Sequence, residues 1–249
     1  MRDFLQALSF LTILPFGQGL PVEGKLLARS MAFFPLVGLV IGLILVVCYL
    51  LLLFLLPRAF VLWLTIGLLA FLTRGLHLDG FADTMDGLAS GGSKERILEV
   101  MRDSRIGAFG VISLIFLIGG KYLALDQMSN GSIPYSLILM AVMGRNSMVL
   151  VCFRSPYARP GGGLAKPFTD NLGYRETALS MAMAFGIALL VMGVKGILVF
   201  LGIGLFSLGY RYLFMKKLRG VTGDVLGGAN ELSELVSLVL LVILEPIQL

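Results

Sequence analysis

Charged residues are scarce in this chain, and histidine and cysteine are scarcer still. Of the 249 residues, 14% are Asp, Glu, Lys or Arg, one is histidine and two are cysteine. A single histidine cannot supply the paired ligands of a zinc site. The Gly-x-Ser-x-Gly sequence of serine esterases is also absent. Zinc hydrolysis and acyl transfer are therefore poor candidates for the chemistry of this protein.

The two cysteines do not suggest a disulfide or a metal pair. Cys48 and Cys152 both lie within apolar segments. Unpaired cysteines in such surroundings usually behave as small hydrophobic residues. They leave the redox compartment of the protein open.

Long apolar runs are what the sequence has in abundance. Hydrophobic residues make up 57% of the chain, and the mean hydropathy is +0.93. The runs extend over about 15 to 26 residues, which is the length needed to cross the hydrocarbon of a bilayer. Only helices and closed barrels satisfy their backbone groups there. We predict an all-α, polytopic integral membrane helical bundle that forms a single catalytic domain over residues 1–249.

The apolar runs predict seven membrane spans, with an amphipathic helix before them. This first helix covers residues 4–16 and lies on or dips into the membrane. Its apolar face consists of Phe4, Leu5, Leu8, Leu11 and Leu14. A short amphipathic helix over residues 94–101, capped by Ser93, is predicted within a polar stretch. The seven spans are 31–56, 59–73 (extendable to 78), 106–125, 133–153, 177–194, 196–214 and 231–247.

The positive charges predict how the spans are oriented. A net charge of +5 would also suit nucleic-acid binding, but basic cytoplasmic loops are the simpler explanation for a membrane protein. With the N-terminus inside, the cytoplasmic segments carry sixteen Lys and Arg residues, and Arg58, Lys121 and Lys195 lie opposite. We therefore predict a multi-pass protein of the bacterial inner membrane, in contact with lipid. Its three long polar loops would face the cytoplasm, and no nucleic acid is expected as a partner.

An acidic cluster in the first polar loop is the leading candidate site. Asp79, Asp83 and Asp86 fall within eight residues, and helical spacing would confine them to an arc of roughly 60°. Crowded carboxylates repel one another, and a divalent cation such as Mg²⁺ relieves that repulsion. Asp103 would become a fourth ligand if the short helix folds back. The alternative is that these aspartates only solvate a loop beside the membrane.

Basic residues near this cluster are candidates for phosphate binding. Arg102 and Arg105 would grip a phosphate in bidentate fashion. Lys166 lies in the glycine-rich stretch 159–168, whose backbone N–H groups also suit phosphates. That stretch lacks the ending of a P-loop, so an ordinary linker is the alternative.

Polar residues at two other places would complete a substrate site. Near the start of the last span lie Asn230, Glu231 and Glu234. They would form a polar wall of the substrate site, or the two acids would only compensate the dipole of the helix. Arg145 and Asn146 interrupt the fourth span and should face the bundle interior. Asp224 lies in a glycine-rich turn just before the last span.

His77, two residues before Asp79, has two alternative roles. It would contact phosphate or transfer a proton. Otherwise it is an interfacial residue whose hydrogen bonds are satisfied. The whole set favours phosphoryl or nucleotidyl transfer, in which metal ions and arginines stabilise charge while an aspartate accepts a proton.

Several motifs resemble those of the adenosylcobinamide-GDP ribazoletransferase, or cobalamin synthase, family, in the expected order along nearly the whole chain. One departure is Gly227-Gly228, where the family often has Gly-Ala. The matching motifs are Phe10-Leu-Thr-Ile-Leu-Pro15, Phe34-Pro-Leu-Val-Gly38, His77-Leu-Asp-Gly-Phe-Ala-Asp-Thr-Met-Asp-Gly87, Arg102-Asp-Ser-Arg-Ile-Gly-Ala-Phe-Gly110, Gly163-Leu-Ala-Lys-Pro-Phe168 and Gly223-Asp-Val-Leu-Gly-Gly-Ala-Asn-Glu-Leu232.

The resemblance implies the last assembly step of cobalamin synthesis, at the bacterial inner membrane. Adenosylcobinamide-GDP would condense with α-ribazole or its 5′-phosphate and release GMP, with Mg²⁺ required. The implied metal ligands are Asp79, Asp83, Asp86 and Asp103, one of which would serve as base. Arg102, Arg105 and Lys166 would neutralise the phosphates.

Two alternative functions remain at this point. The aspartates are also similar to those of CDP-alcohol phosphotransferases, although the full Asp-Gly-x-x-Ala-Arg motif of that family is absent, since Asp83 falls within it. A cation-coupled transporter is the other alternative, but its charges would be expected near the bilayer midplane. The charges of this chain gather at one face instead, which favours an enzyme. An oligomer is neither predicted nor excluded.

Overall fold

The computed structural model describes residues 1–16 and 24–245 as a bundle of helices. Within these residues the only extended pairing is an isolated bridge between Tyr157 and Val221. The all-α prediction is confirmed. A single 3₁₀ turn, Met31–Phe33, joins α2 to α3. The helices are α1 (Arg2–Leu11), α2 (Gly24–Ser30), α3 (Phe34–Leu52), α4 (Arg58–Leu72), α5 (Leu76–Ser90), α6 (Lys94–Val100), α7 (Ala108–Asp126), α8 (Ile133–Cys152), α9 (Lys166–Asn171), α10 (Tyr174–Leu218) and α11 (Gly223–Leu244).

Five helical runs of the described residues are long and apolar enough to cross a membrane. A sixth is formed only if α4 and α5, which are bent by 89° at their junction, count as one span. The multi-pass prediction is supported, and the count of seven stays a prediction. The end of the last predicted span, residue 247, lies outside the described residues. The five runs are Gly24–Leu52, Ala108–Asp126, Ile133–Cys152, Tyr174–Leu218 and Gly223–Leu244.

The long helix α10 doubles back at Gly193, between the predicted fifth and sixth spans. The backbone of Gly193 has φ 54° and ψ −130°, which is not helical and is favourable only for glycine. Gly196 then approaches the Ala188 carbonyl so closely that no side chain would fit. The rings of Phe185 and Phe200 meet edge to face at 5.6 Å. In a straight helix these rings would lie more than ~20 Å apart, so α10 is a hairpin of two arms.

Helix α8 forms the centre of the bundle. All but three of its 20 residues are buried, and α3, α10 and α11 pack around it. The closest approach is to α3, where a Cβ on Gly38 would lie 2.5 Å from the Ala141 carbonyl oxygen. Gly42 meets the Ile138 backbone in the same way, at 2.6 Å. Small residues let apolar helices approach closely, and here they set the α3–α8 distance.

The sharp corner between α4 and α5 presents the acidic helix. Arg74 and Gly75 have φ of 55° and 65°, so the chain cannot continue as a right-handed helix. The second span therefore does not extend to residue 78 as one continuous helix, and whether α4 and α5 form a single bent span stays a prediction. Helix α5 packs on α11, and a Cβ on Gly80 would lie 2.8 Å from the Asp224 Cα atom.

Of the two predicted amphipathic helices, the first is shorter than predicted and the second is confirmed. The N-terminal helix ends at Leu11 rather than at residue 16, because the Ile13 N–H donates to the Leu72 carbonyl at 2.8 Å. Leu8 and Leu11 are buried in the protein core, so this helix packs on the bundle. The short helix is confirmed as α6, and the Ser93 hydroxyl accepts from its third residue.

Candidate active site

The three aspartates of α5 share one helical face, as predicted, but their surroundings differ. Asp83 lies at the centre. Burial, followed by the negative charges of Asp79 and Asp224, raises the pKa of Asp83 to about 7. Arg159 is the cation that opposes this rise. Asp83 therefore lies where the negative charge of this site is concentrated.

Asp86 connects α5 to the N-terminus of α7. Its two carboxylate oxygens accept hydrogen bonds from the backbone N–H groups of Gly107 and Gly110, each at 2.7 Å. The first N–H groups of a helix have no partner within the helix, and a carboxylate there also complements the helix dipole. Both glycines leave no room for a Cβ beside Asp86. Asp86 therefore has a structural partner on each oxygen.

Arg159 is the residue that sequence reasoning missed at this site. Its guanidinium donates to an Asp224 oxygen at 2.5 Å and to the Met101 carbonyl at 3.1 Å. The isolated bridge between Tyr157 and Val221 holds the Arg159 loop against the start of α11. Arg159 is the first residue of the glycine-rich stretch 159–168, which the sequence already identifies as a candidate phosphate site. From that stretch the sequence-based prediction names only Lys166.

Four of the residues predicted to bind metal or phosphate lie outside this group, on the exposed surface. Asp103 accepts from Arg105 at 2.7 Å, and the hydrogen bonds from Arg105 lower the pKa of Asp103 to about 2. Arg102 donates to the Pro160 carbonyl at 3.5 Å. Lys166 pairs with Asp170 at 2.5 Å. Among the described residues no group of three or more His, Cys, Asp or Glu is close enough to hold a metal ion, so the four predicted metal ligands are not gathered at one point.

A buried ion network occupies the interior of the bundle. Lys121 donates to Glu231 at 2.6 Å and to Glu234 at 2.5 Å. Arg145 pairs with the other oxygen of Glu234, and Asn230 donates to both glutamates at 3.2 and 3.1 Å. Two cations and two anions balance one another. An uncompensated charge would be costly at this depth.

This network tests the locations that the sequence predicts for several polar residues. Lys121 was assigned to the face opposite the cytoplasm, and that is wrong because it is buried between α7 and α11. Arg145 and Asn146 do face the interior, as predicted, and Asn146 accepts from Ser180 at 3.1 Å. The substrate-binding role given to Arg145, Asn146, Asn230, Glu231 and Glu234 stays a prediction, since their contacts are within the protein.

His77 is buried rather than interfacial, and the expectation that its hydrogen bonds are satisfied is wrong. Only 1% of its surface is exposed, and neither Nδ1 nor Nε2 has a hydrogen-bond partner in the described part of the chain. Burial, followed by the charge of Arg145, lowers the pKa of His77 to about 3. The imidazole is therefore neutral at physiological pH, with one donor and one acceptor.

Two cavities meet beside α5. The larger, of about 1240 Å³, lies between α1, the α4–α5 corner and the segment 163–167. The smaller, of about 200 Å³, is lined by His77 and Arg159 and by several aromatic residues. Asp79 lines both, as do three apolar residues, Phe10, Leu76 and Leu164. One carboxylate therefore borders both cavities.

Fold and site together define a multi-pass helical membrane protein with an acidic site between two cavities. The chain belongs to the cobalamin-5-phosphate synthase family, whose model matches residues 3–242.

Curated relatives of the chain share one name, adenosylcobinamide-GDP ribazoletransferase. That of Syntrophobacter fumaroxidans is 39% identical, over 94% of this chain and 96% of its own length. That of Geotalea daltonii is 38% identical over 97% of each chain. The Klebsiella pneumoniae relative is 37% identical, over 97% of this chain and 99% of its own length. No solved structure matches, and these relatives favour neither the CDP-alcohol phosphotransferase nor the transporter.

Proposed function

We propose that this protein joins adenosylcobinamide-GDP to α-ribazole, or to α-ribazole 5′-phosphate, with release of GMP. The product would be adenosylcobalamin or its 5′-phosphate. Membership of the family and the shared name of the relatives support this substrate class. The observation that carries the proposal is Asp79, which borders both the cavity of about 1240 Å³ and the cavity of about 200 Å³. A large corrinoid and a small nucleoside would reach the same carboxylate from two sides.

The transfer is a substitution at phosphorus. A ribose hydroxyl of α-ribazole attacks the phosphorus next to the corrinoid, and a new P–O bond forms. The P–O bond to GMP breaks, and GMP leaves with the bonding electrons. The hydroxyl proton passes to Asp79 or Asp83. A carboxylate with a raised pKa, such as Asp83, suits proton transfer near neutral pH.

Basic residues around the cavities would balance the phosphate charge. Arg159 is the best placed, because it lines the small cavity and contacts Asp224. Arg102 approaches the same loop through Pro160 and would bind phosphate in bidentate fashion. Arg105 and Lys166 are exposed at the surface and would guide anionic substrates towards the site.

The donor chemistry of α5 fits Mg²⁺. Asp79 and Asp83 are oxygen donors whose negative charges oppose one another, and a cation would remove that cost. Mg²⁺ commonly takes one or two carboxylates and shares its remaining positions with waters and substrate phosphates. A site with two protein carboxylates agrees with the lack of a three-ligand group in the described residues. When bound, Mg²⁺ would neutralise charge on the diphosphate.

The site would face the cytoplasm from the bacterial inner membrane. With Lys121 reassigned to the interior, the side opposite the predicted cytoplasmic loops retains only Arg58 and Lys195 from the sequence-based assignment. This sharpens the positive-inside bias. Nucleotide substrates would then enter from the compartment in which they are made.

GMP release tests this function. Detergent-purified protein is given adenosylcobinamide-GDP, α-ribazole and Mg²⁺, and GMP and the cobalamin product are quantified. We expect equal amounts of both products, none without α-ribazole, and loss of turnover when the metal is chelated. Turnover with a CDP-alcohol and release of CMP, without turnover of the corrinoid, would overturn the proposal in favour of the lipid enzyme.

A further inference from the structure

We propose that the cavity of about 200 Å³ binds the flat two-ring base of the ribazole substrate, and that His77 determines specificity by hydrogen-bonding the unsubstituted ring nitrogen of that base. This inference rests on the proposed function and assigns one of its two substrates to a defined pocket. The pocket lies between α5, the start of α11 and the loop that carries Arg159, and residues of α1, the 3₁₀ turn, α3, α8 and α9 close it.

The first observation is the unpartnered imidazole. His77 lines the cavity, is 1% exposed, and has no hydrogen bond at either ring nitrogen within the described residues. Buried polar groups nearly always have a partner, and an orphaned one calls for an explanation such as a missing ligand. Arg145 also has unpartnered nitrogens, but it does not line this cavity. Arg159 lines it and has one unpartnered nitrogen, Nε, while its guanidinium already donates to Asp224.

The second observation is the aromatic wall. The rings of Phe10 and Phe168 pack edge to face at 5.1 Å, and those of Phe34 and Phe168 at 6.1 Å. All three residues line the cavity. Aromatic side chains offer a flat or edge-on surface on which a heterocyclic base stacks. A diphosphate would gain little from such a wall.

The third observation is the size of the cavity and its position beside Asp79. Drug-sized ligands occupy pockets of about 300–1,000 Å³, so a cavity of about 200 Å³ admits only a fragment such as one bicyclic base. Asp79 lines the same cavity. With the base inside, the attached ribose would extend towards Asp79, where its hydroxyl is deprotonated.

The chemistry of the base matches one donor on His77. The ring nitrogen that is not bonded to ribose carries a lone pair and accepts a hydrogen bond. The imidazole of His77 always carries at least one N–H to give. A site built to hydrogen-bond such a group discriminates against an analogue that lacks it, because the protein group is then left unpartnered.

Kinetics of His77 variants test the proposal. His77→Leu should raise the KM for α-ribazole by about tenfold, the effect of one buried hydrogen bond, and change the KM for adenosylcobinamide-GDP by less than about twofold. His77→Asn keeps an N–H near Nδ1, and His77→Gln keeps one near Nε2, so one of them should restore the KM. Thr84→Val is the control, because Thr84 is buried on the same helix and donates to Gly80 but does not line the cavity.

A modified substrate separates base recognition from a general structural effect. An indole riboside has carbon where the base has its free ring nitrogen. The wild-type protein should prefer α-ribazole over this analogue, and His77→Leu should not discriminate. Equal discrimination by both proteins, or an equal rise in both KM values, would overturn the role of His77. Absence of any turnover by the wild-type protein would instead contradict the proposed function, and calorimetric binding of α-ribazole to wild type and His77→Leu would still test the cavity.

Discussion

Arg159 donates a hydrogen bond of 2.5 Å to Asp224, across 65 positions of the sequence. The pair joins the glycine-rich loop to the first turn of α11, and both residues line the small cavity. Asp224 in turn lies against Gly80, in the middle of the acidic helix. The contact therefore brings a cation close to the carboxylates of α5.

Arg159→Gln should lower turnover by at least about tenfold, because a guanidinium that neutralises phosphate contributes at least about 1.4 kcal/mol to the transition state. GMP release measures the effect. Arg96→Gln is the matched control, since Arg96 is an exposed arginine that pairs with Glu99 on its own helix. A variant with the turnover of the wild-type protein would remove Arg159 from the site.

Asp83→Asn should lower turnover by about 10²-fold or more while the protein stays folded, because the change removes one charge without changing size. The fold is checked by thermal unfolding in detergent. Glu99→Gln, at an exposed position on α6, should have no effect on turnover. Retention of the wild-type rate by Asp83→Asn would exclude Asp83 as a metal ligand or base.

Asp86→Asn should lower stability by about 1–2 kcal/mol, the cost of weakening a helix cap and its charge. The reason is that Asp86 accepts from Gly107 and Gly110 at the start of α7. Asp79→Asn, by contrast, should lower turnover and leave the melting temperature unchanged. If Asp86→Asn lost all turnover at an unchanged melting temperature, a metal-binding role would replace the anchoring role.

Gly38→Ala should destabilise the bundle by more than about 2 kcal/mol, since overpacking of backbone against backbone cannot relax. A Cβ there would lie 2.5 Å from the Ala141 carbonyl oxygen. Gly67→Ala on α4 is the matched substitution, because no atom lies within 4 Å of its Cβ position. The two melting temperatures should differ, and equal values would contradict the close α3–α8 packing.

Lys121→Met should destabilise the protein by about 3–5 kcal/mol, because it leaves buried carboxylates without a partner. Glu231 and Glu234 would then face one another with Arg145 as the only nearby cation of the network. The double variant Lys121→Met with Glu231→Gln restores charge balance and should regain part of the loss. A double variant no more stable than the single one would show that Lys121 acts through packing alone.

Local features of the fold followed from sequence patterns alone. The spacing of Asp79, Asp83 and Asp86 predicted one helical face, and α5 has it. Ser93 predicted the start of α6, and its hydroxyl caps that helix. Both inferences work because side-chain spacing and capping involve residues within one or two helical turns.

The errors concern partners that lie far apart in the chain. Nothing near Lys121 in the sequence indicates that it pairs with Glu234, which is 113 positions away. The end of α1 at Leu11 depends on a contact of Ile13 with the carbonyl of Leu72. Distant pairing overrides a pattern read along a single segment.

The sequence by itself determined the membrane-spanning helical class, the acidic helix and the family, because hydropathy, helical periodicity and linear motifs are properties of contiguous residues. Tertiary structure alone decided that Arg159 faces Asp224, that Lys121 neutralises the buried glutamates, and that His77 lines a cavity without a hydrogen-bond partner among residues 1–16 and 24–245. Each of these depends on which helices pack together and at what distance. That choice is made by close backbone contacts, such as those of Gly38 and Gly80, which no single segment specifies.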